Sequence, residues 1–380
     1  MKSEMRVLLT GGGTAGHINP AIAIAQEIKK QEPSSEILFV GTPGGMEATL
    51  VKKAGFAFSS VEVQGIHRKL TAQNIVRNMK ALKCAVTAGP RAKQIIREFN
   101  PDFVIGTGGY VSGPVVRKAS QMGILTAVHE QNAFPGVTNK LLAKHADIVF
   151  LAVEKAKEYL PKNKKYVVVG NPVRESVIFK KKAEARQELG MDDKMCIVSF
   201  GGSLGAVKLN QIVADIMQWH CARGDVNHIH AMGKLGKKVF PEMLKERGVD
   251  VTKNHRIDIR DYIDNMDTCL AAADLVVCRA GAITLSELQA TGKASILIPS
   301  PNVTENHQYH NAMVLANQHA AIVIEEKNYQ KEQLIGILDD FYEHPEHLKE
   351  YSKNASKMAI LDTSERIYKA IHTILVEKKK

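Results

Sequence analysis

Arg6-Val7-Leu8-Leu9-Thr10-Gly11-Gly12-Gly13-Thr14-Ala15-Gly16-His17, residues 6–17, reads as a short apolar strand running into a glycine loop and then a helix. Residues 196–206 repeat the device: Cys196-Ile197-Val198-Ser199-Phe200 leads into Gly201-Gly202-Ser203-Leu204-Gly205-Ala206. Strand, glycine turn and helix start, in that order, open a doubly wound nucleotide-binding unit. Two such openings predict two units, and 380 residues exceed the roughly 250–300 that one core supports.

Outward from these openings, short β-branched runs alternate with longer helical patterns. They fall at 7–9, 37–40, 103–105, 125–128, 148–150 and 167–169, then at 196–200, 228–230, 275–277, 296–298 and 322–324. Continuous apolar strands separated by helices predict parallel sheets covered on both faces, an α/β class. Gly170-Asn171-Pro172-Val173-Arg174 reads as the hinge, with a charged helix over 180–189 after it. The expected domains are 1–172 and 173–359. An amphipathic C-terminal helix, about 363–376 within 360–380, is expected to pack back on the first, with a frayed Lys378-Lys379-Lys380 tail.

Composition narrows the class. Apolar residues make up 44% and charged residues 24%, as in globular domains, which excludes a disordered chain. The net charge of +11 favours an anionic partner such as nucleic acid, anionic lipid or phosphorylated substrate. Cysteines at 84, 196, 221, 269 and 278 form no Cys-x-x-Cys pair and read as reduced thiols. Residues 1–6 lack a signal-type apolar region, and no run approaches the roughly 20 apolar residues of a spanning helix. The expected location is inside the cell, on or off a membrane surface.

Gly11-x-Gly13-x-x-Gly16 satisfies the dinucleotide fingerprint, but the second strand ends Phe39-Val40-Gly41-Thr42-Pro43 with no acid to hold a ribose. A nicotinamide or flavin enzyme is therefore the weaker reading. His17, directly after the loop, suits either a general base or a helix-end hydrogen bonder. Gly106-Thr107-Gly108-Gly109-Tyr110-Val111-Ser112-Gly113-Pro114 is a third glycine loop, suited to phosphate oxygens or to a tight turn. His129-Glu130-Gln131-Asn132 closes the next strand, ahead of Asn139. No cluster has metal-ligand spacing. In the second half Arg279-Ala280-Gly281-Ala282-Ile283-Thr284-Leu285-Ser286-Glu287 opens a helix whose N-terminal N–H groups suit a pyrophosphate. Glu287 lies one and a half turns further in, placed to accept from ribose hydroxyls. The polar loop 299–311 suits sugar hydroxyls. Finally His67-Arg68-Lys69-Leu70, with Ile75, Met79, Leu82 and Val86 among Arg77, Lys80, Lys83, Arg91 and Lys93, reads either as a segment on anionic headgroups or as a helix with a core-facing stripe.

Taken in order, the blocks 11–20, 106–114, 129–140, 170–174, 201–206, 279–288 and Gln308-Tyr309 closely resemble the MurG family, the UDP-N-acetylglucosamine–N-acetylmuramyl-(pentapeptide) pyrophosphoryl-undecaprenol N-acetylglucosamine transferases. The resemblance implies a GT-B glycosyltransferase fold, two Rossmann-like domains facing across a cleft. It implies UDP-N-acetylglucosamine as donor, held mainly by the second domain, and the undecaprenyl-pyrophosphoryl-MurNAc-pentapeptide (lipid I) as acceptor, held by the first, with lipid II as product. By it Arg174 and Ser203 lie at the donor phosphates, Ile263 meets the uracil through its backbone, and Gly281, Ala282, Ile283, Thr284, Leu285 and Ser286 line the pyrophosphate. Glu287 holds the ribose, and His307 and Gln308 meet the transferred sugar. Thr14, Ala15, Gly16 and Asn132 close over that sugar, while Gly108, Gly109, Tyr110, His129, Glu130 and Asn139 stand on the acceptor side. Ala15 replaces a common glycine and His307 a common glutamine. The implied reaction is one inverting displacement with His17 as the catalytic residue, no bound metal and no cofactor. The implied place is the cytoplasmic face of the cell membrane, on its anionic leaflet, with no nucleic acid partner. Rivals are a related glycolipid transferase or UDP-sugar epimerase, a dinucleotide oxidoreductase, and a non-catalytic lipid sensor.

Overall fold

The computed structural model describes residues 4–64 and 87–379 and divides the chain into two compact units, 1–172 with 362–380, and 173–361. The basic apolar stretch from His67 to Val86 lies outside the described residues.

In the N-terminal unit the elements run β1 (Arg6–Gly11), α1 (Ala15–Gln31), β2 (Glu36–Gly41), α2 (Met46–Lys53), β3 (Ala57–Ser60), a helix α3 over 87–99, β4 (Phe103–Gly108), α4 (Ser112–Gln121), β5 (Leu125–Glu130), α5 (Val137–Ala143), β6 (Ile148–Leu151) and β7 (Lys165–Val168). Among the described residues seven strands form one parallel sheet in the order β3-β2-β1-β4-β5-β6-β7. Successive strand side chains point to opposite faces, so Val7 and Leu9 join one apolar cluster and Leu8 the other. Both faces are covered, which is why these strands are apolar throughout. Helix α1 buries Ile18, Ala21, Ile24, Ala25 and Ile28, a helical stripe. The C-terminal helix Thr363–Lys379 buries Ile367, Ile371 and Ile374 in the same cluster. It runs three residues past the expected end at 376, and Lys378, expected to fray, stays helical with its Nζ donating to Gly123 O at 2.9 Å.

The C-terminal unit runs α6 (Glu175–Phe179), α7 (Lys182–Glu188), β8 (Cys196–Phe200), α8 (Val207–Arg223), β9 (Asn227–Ala231), α9 (Gly233–Glu246), β10 (Ile257–Arg260), α10 (Met266–Ala272), β11 (Leu275–Cys278), α11 (Ala282–Ala290), β12 (Ala294–Leu297), α12 (His307–Ala316), β13 (Ile322–Val323), α13 (Lys331–Glu343) and α14 (Pro345–Lys357). Its six described strands are parallel in the order β10-β9-β8-β11-β12-β13. The helix expected at 180–189 is a shorter α7, because Lys180 and Lys181 are extended and separate it from α6. Cys196 and Cys278 are fully buried core residues, as their apolar surroundings predict.

In each unit the strand order reverses between its first and fourth strands, at β1/β4 and β8/β11. Open α/β sheets bind ligands at the C-terminal ends of the strands on either side of that reversal. The four loops there are 12–14, 109–111, 201–206 and 279–281.

Candidate active site

In the N-terminal unit the loops after β1 and β4 lie against each other. Gly12 N–H donates to Gly108 O at 3.3 Å. A Cβ on Gly109 would stand 2.3 Å from Gly12 O, and Gly109 has φ +82°, so the approach requires glycine. Two amides of the fingerprint loop, those of Gly12 and Gly13, are committed within the protein. Gly13 N–H donates to Glu47 Oε2 at 3.2 Å, while Glu47 Oε1 accepts from Thr42 N–H at 2.9 Å and Thr42 Oγ1 at 2.6 Å. Burial raises the Glu47 pKa, but the bonds from Thr42 and Gly13 outweigh it and hold the carboxyl below its ordinary value. A buried carboxylate thus stands where a dinucleotide's phosphates would need positive potential. This corrects the pyrophosphate reading of Gly11-x-Gly13-x-x-Gly16: the glycines serve loop-to-loop contact and the start of α1.

His17 lies in the first turn of α1, half-buried, with Nδ1 3.2 Å from Gln131 Oε1. It packs under Gly108, where an added Cβ would be 2.7 Å from His17 Nδ1. Thr14 and Ala15 are exposed and Gly16 half-buried, so these three border the surface above it. Behind the ring, His129 is fully buried, its Nε2 2.9 Å from Gly170 O. Burial pushes its pKa down to about 4, so it is neutral at working pH.

Glu130, 1% exposed, organises the following loop. Its Oε1 accepts from Asn132 N–H and Asn132 Nδ2 at 2.9 and 3.0 Å, and its Oε2 from Gly136 N–H and Asn139 Nδ2 at 3.1 and 2.8 Å. Among the residues expected on the acceptor side, Gly109 and Tyr110 reach the surface, Tyr110 prominently. His129, Glu130 and Asn139 do not: they are buried and bond to neighbouring side chains and backbone, so they shape the loop that presents Asn132. Gly108 is likewise buried over His17.

In the C-terminal unit β11 feeds Arg279-Ala280-Gly281 into α11. Arg279 is anchored away from the loop, Nη1 donating to Ile298 O at 2.9 Å and Nη2 pairing with Glu326 at 2.5 Å. Gly281 is the extended residue before the helix. Gly281, Ala282, Ile283, Thr284 and Ser286 are half-buried along its first turns, while Leu285 points into the core. Glu287, whose side chain is 12% exposed, meets Arg174 Nη2 at 3.2 Å. Burial raises the Glu287 pKa, and the guanidinium opposes that rise. A guanidinium and a carboxylate therefore stand beside one helix start. Ser203 is exposed at the tip of the β8 loop. That loop is held close to α9, since a Cβ on Gly205 would lie 2.3 Å from Met232 O. Ile263 is buried, leaving only its backbone to meet a ligand. Before α12, Glu305 and Asn306 have φ +54° and +52°, a strained pair for side-chain-bearing residues. They aim His307, whose Nδ1 bonds Thr304 O at 2.9 Å, and Gln308, whose Oε1 accepts from Ser300 N–H at 2.9 Å.

Residues 7–151 match the glycosyltransferase family 28 N-terminal domain, and residues 196–367 match the glycosyltransferase family 28 C-terminal domain. A UDP-N-acetylglucosamine–N-acetylmuramyl-(pentapeptide) pyrophosphoryl-undecaprenol N-acetylglucosamine transferase of Acetivibrio thermocellus is 44% identical over 98% of this chain and 99% of its own length. The chain belongs to this glycosyltransferase family. The transferase of the same description from a Thermoanaerobacter species is 43% identical, over 97% of this chain and 100% of its own. The crystal structure of Acinetobacter baumannii MurG superposes with a TM-score of 0.78 at 27% identity, covering 97% of this chain and 99% of that one. A UDP-GlcNAc 2-epimerase from Neisseria meningitidis bound to UDP-GlcNAc, at 13% identity and TM-score 0.67 over 97% of this chain and 100% of that one, shares the fold alone. The two doubly wound units are those of a GT-B glycosyltransferase.

Glu47 and Thr107, which bond to Gly13 and to His17 O, had no role in the sequence reading, whereas Gln131 was one of the four polar side chains of a candidate site. Gln131 stood in the polar strand end, but nothing in its spacing told it from its neighbours.

Proposed function

We propose that the chain transfers N-acetylglucosamine from UDP-N-acetylglucosamine to the 4-hydroxyl of N-acetylmuramic acid in lipid I, giving lipid II for peptidoglycan synthesis. The observation that carries this reading is the near-complete match in length and sequence to transferases of that description. The geometry supplies the chemistry. The start of α11 offers partial positive charge to the donor diphosphate, with Arg174 beside it. Glu287 accepts from the ribose hydroxyls. His307 and Gln308 meet the N-acetylglucosamine ring, and Ile263 meets the uracil. In the N-terminal unit Thr14, Ala15, Gly16 and Asn132 border the transferred sugar, and Tyr110 with Gly109 borders the acceptor.

The acceptor oxygen attacks the anomeric carbon as its proton passes to His17. The bond from that carbon to the β-phosphate oxygen breaks, and its electron pair leaves with UDP, so the anomeric configuration inverts. Charge that develops on the departing diphosphate meets the helix start and Arg174. The membrane-borne acceptor brings the work to the cell membrane, and we assign it to the cytoplasmic face, whose anionic headgroups suit the +11 chain. Among the described residues no helix is long and apolar enough to cross a membrane, which fits peripheral attachment.

The test is transfer of labelled N-acetylglucosamine from UDP to lipid I, with and without chelator. Labelled lipid II at the same rate in both arms is expected. UDP release without lipid product, or epimerisation of the donor, would overturn the assignment. Glu287→Ala should raise the KM for UDP-N-acetylglucosamine about 10- to 100-fold, as loss of hydrogen bonds to a charged group worth about 1.5–3 kcal/mol implies. An unchanged donor KM would make Glu287 only the partner of Arg174.

A further inference from the structure

We propose that Gln131 is a positioning residue that sets the tautomer of His17, so that the imidazole offers an unprotonated Nε2 to the acceptor hydroxyl; this rests on the reading of His17 as the base. Gly170 O lies 2.9 Å from His129 Nε2, and a carbonyl only accepts, so this nitrogen carries the hydrogen. His129 is fully buried, and burial keeps its ring neutral, so its Nδ1 holds a lone pair.

Gln131 Nε2 stands 3.1 Å from that Nδ1 and 2.7 Å from Thr107 O, two acceptors for its two hydrogens. His129 O, at 3.1 Å, shares one of them. A flipped amide would set Gln131 Oε1 against those same acceptors. The amide orientation is therefore determined, and its oxygen faces His17 Nδ1 at 3.2 Å. An amide oxygen cannot donate, so Nδ1 must, and in a neutral imidazole the lone pair then lies on Nε2. Gln131 is only 2% exposed, so water does not compete for these bonds. A base oriented by a third group through its other ring nitrogen is the arrangement nucleophilic triads use, here with an amide in place of a carboxylate. The amide orients without adding charge, so it does not draw a proton onto the ring before the hydroxyl arrives. Among the described residues, the titratable groups around the pair are His129 on β5, Glu130 at the end of that strand, and Glu47 on α2, bonded to Gly13. Strand β4 contributes the uncharged Thr107 and Gly108.

The test labels the imidazole nitrogens of the full chain with 15N and reads each tautomer from two-bond proton–nitrogen correlations. His17→Ala identifies the His17 signal among the 14 histidines. The wild type should show Nδ1 protonated and Nε2 bare above the ring's titration. Gln131→Met keeps volume but removes the amide. It should shift His17 toward the Nε2–H form and lower kcat at least about tenfold, with the donor KM within about threefold of wild type. Gln131→Glu keeps an acceptor for Nδ1–H and adds charge, so the tautomer should persist and the acid limb of kcat/KM should move to higher pH. A wild-type His17 protonated on Nε2, or a Gln131→Met enzyme with the wild-type tautomer and kcat, overturns the proposal, and the first result needs no variant to fold. Full turnover by His17→Ala would instead remove the base reading and with it Gln131's effect on rate, while the tautomer signals of the wild type and Gln131→Met would still separate the two failures.

Discussion

His17→Ala is expected to lower kcat for sugar transfer by about 10²–10⁴-fold, the usual contribution of a positioned general base. The donor KM should change little, because the ring belongs to the N-terminal unit's β1/β4 loops and the donor contacts are assigned to α11. The fall should be largest near neutral pH and shrink as pH rises, since hydroxide increasingly replaces the lost base. Steady-state rates with lipid I at saturating donor give the number. A variant with wild-type turnover would leave His17 as a helix-end residue.

The second large effect concerns stability. The C-terminal unit buries His220, His228 and His230 completely. Ser199 Oγ lies 2.8 Å from both His228 Nε2 and His230 Nδ1. Burial pushes His220 down to about 4, His230 down to about 3, and His228 well below its ordinary value. In the unfolded chain each takes up a proton near pH 6.5. Stability is therefore complete above about pH 6.5 and is lost as the pH falls from there toward 4, because only the unfolded state binds those protons. Each histidine steepens the loss by about 1.4 kcal/mol per pH unit. Trp219, the chain's single tryptophan, is nearly buried on α8 beside His220 and reports this unit. Its fluorescence in urea titrations should show the midpoint dropping steeply between pH 6.5 and 4.5. His220→Leu should flatten that dependence by about one proton in three. A midpoint independent of pH over this range would contradict the burial argument.

Both parallel sheets were legible because their central strands are apolar on both faces and end in glycine turns. Strands β3 (Ala57-Phe58-Ser59-Ser60) and β10 (Ile257-Asp258-Ile259-Arg260) escaped notice. Each lies at a sheet edge and so carries polar residues that break the continuous apolar signal. The site divides similarly. His17 and Glu287 sit beside loops that announce themselves, one glycine-rich and one small-residue. Glu47 neutralises the fingerprint reading from a helix more than thirty residues along the chain, and only the fold brings it to Gly13. The GxGxxG pattern was thus satisfied by glycines needed for a different reason: a Cβ on Gly11 would stand 2.0 Å from Thr107 Oγ1, and Gly13 has φ +84°. His129 and Glu130 showed their chemistry in sequence but not their burial, because both sides of this strand end are covered and only the fold reveals that.

The central claim is that the donor diphosphate belongs to the start of α11 and not to the fingerprint loop, where Glu47 already holds Gly13. A crystal structure of the chain with UDP tests it most directly. The account predicts the diphosphate against Gly281–Ser286, with the ribose hydroxyls on Glu287. A diphosphate seated on Gly11–Gly13, with Glu47 displaced, would contradict it.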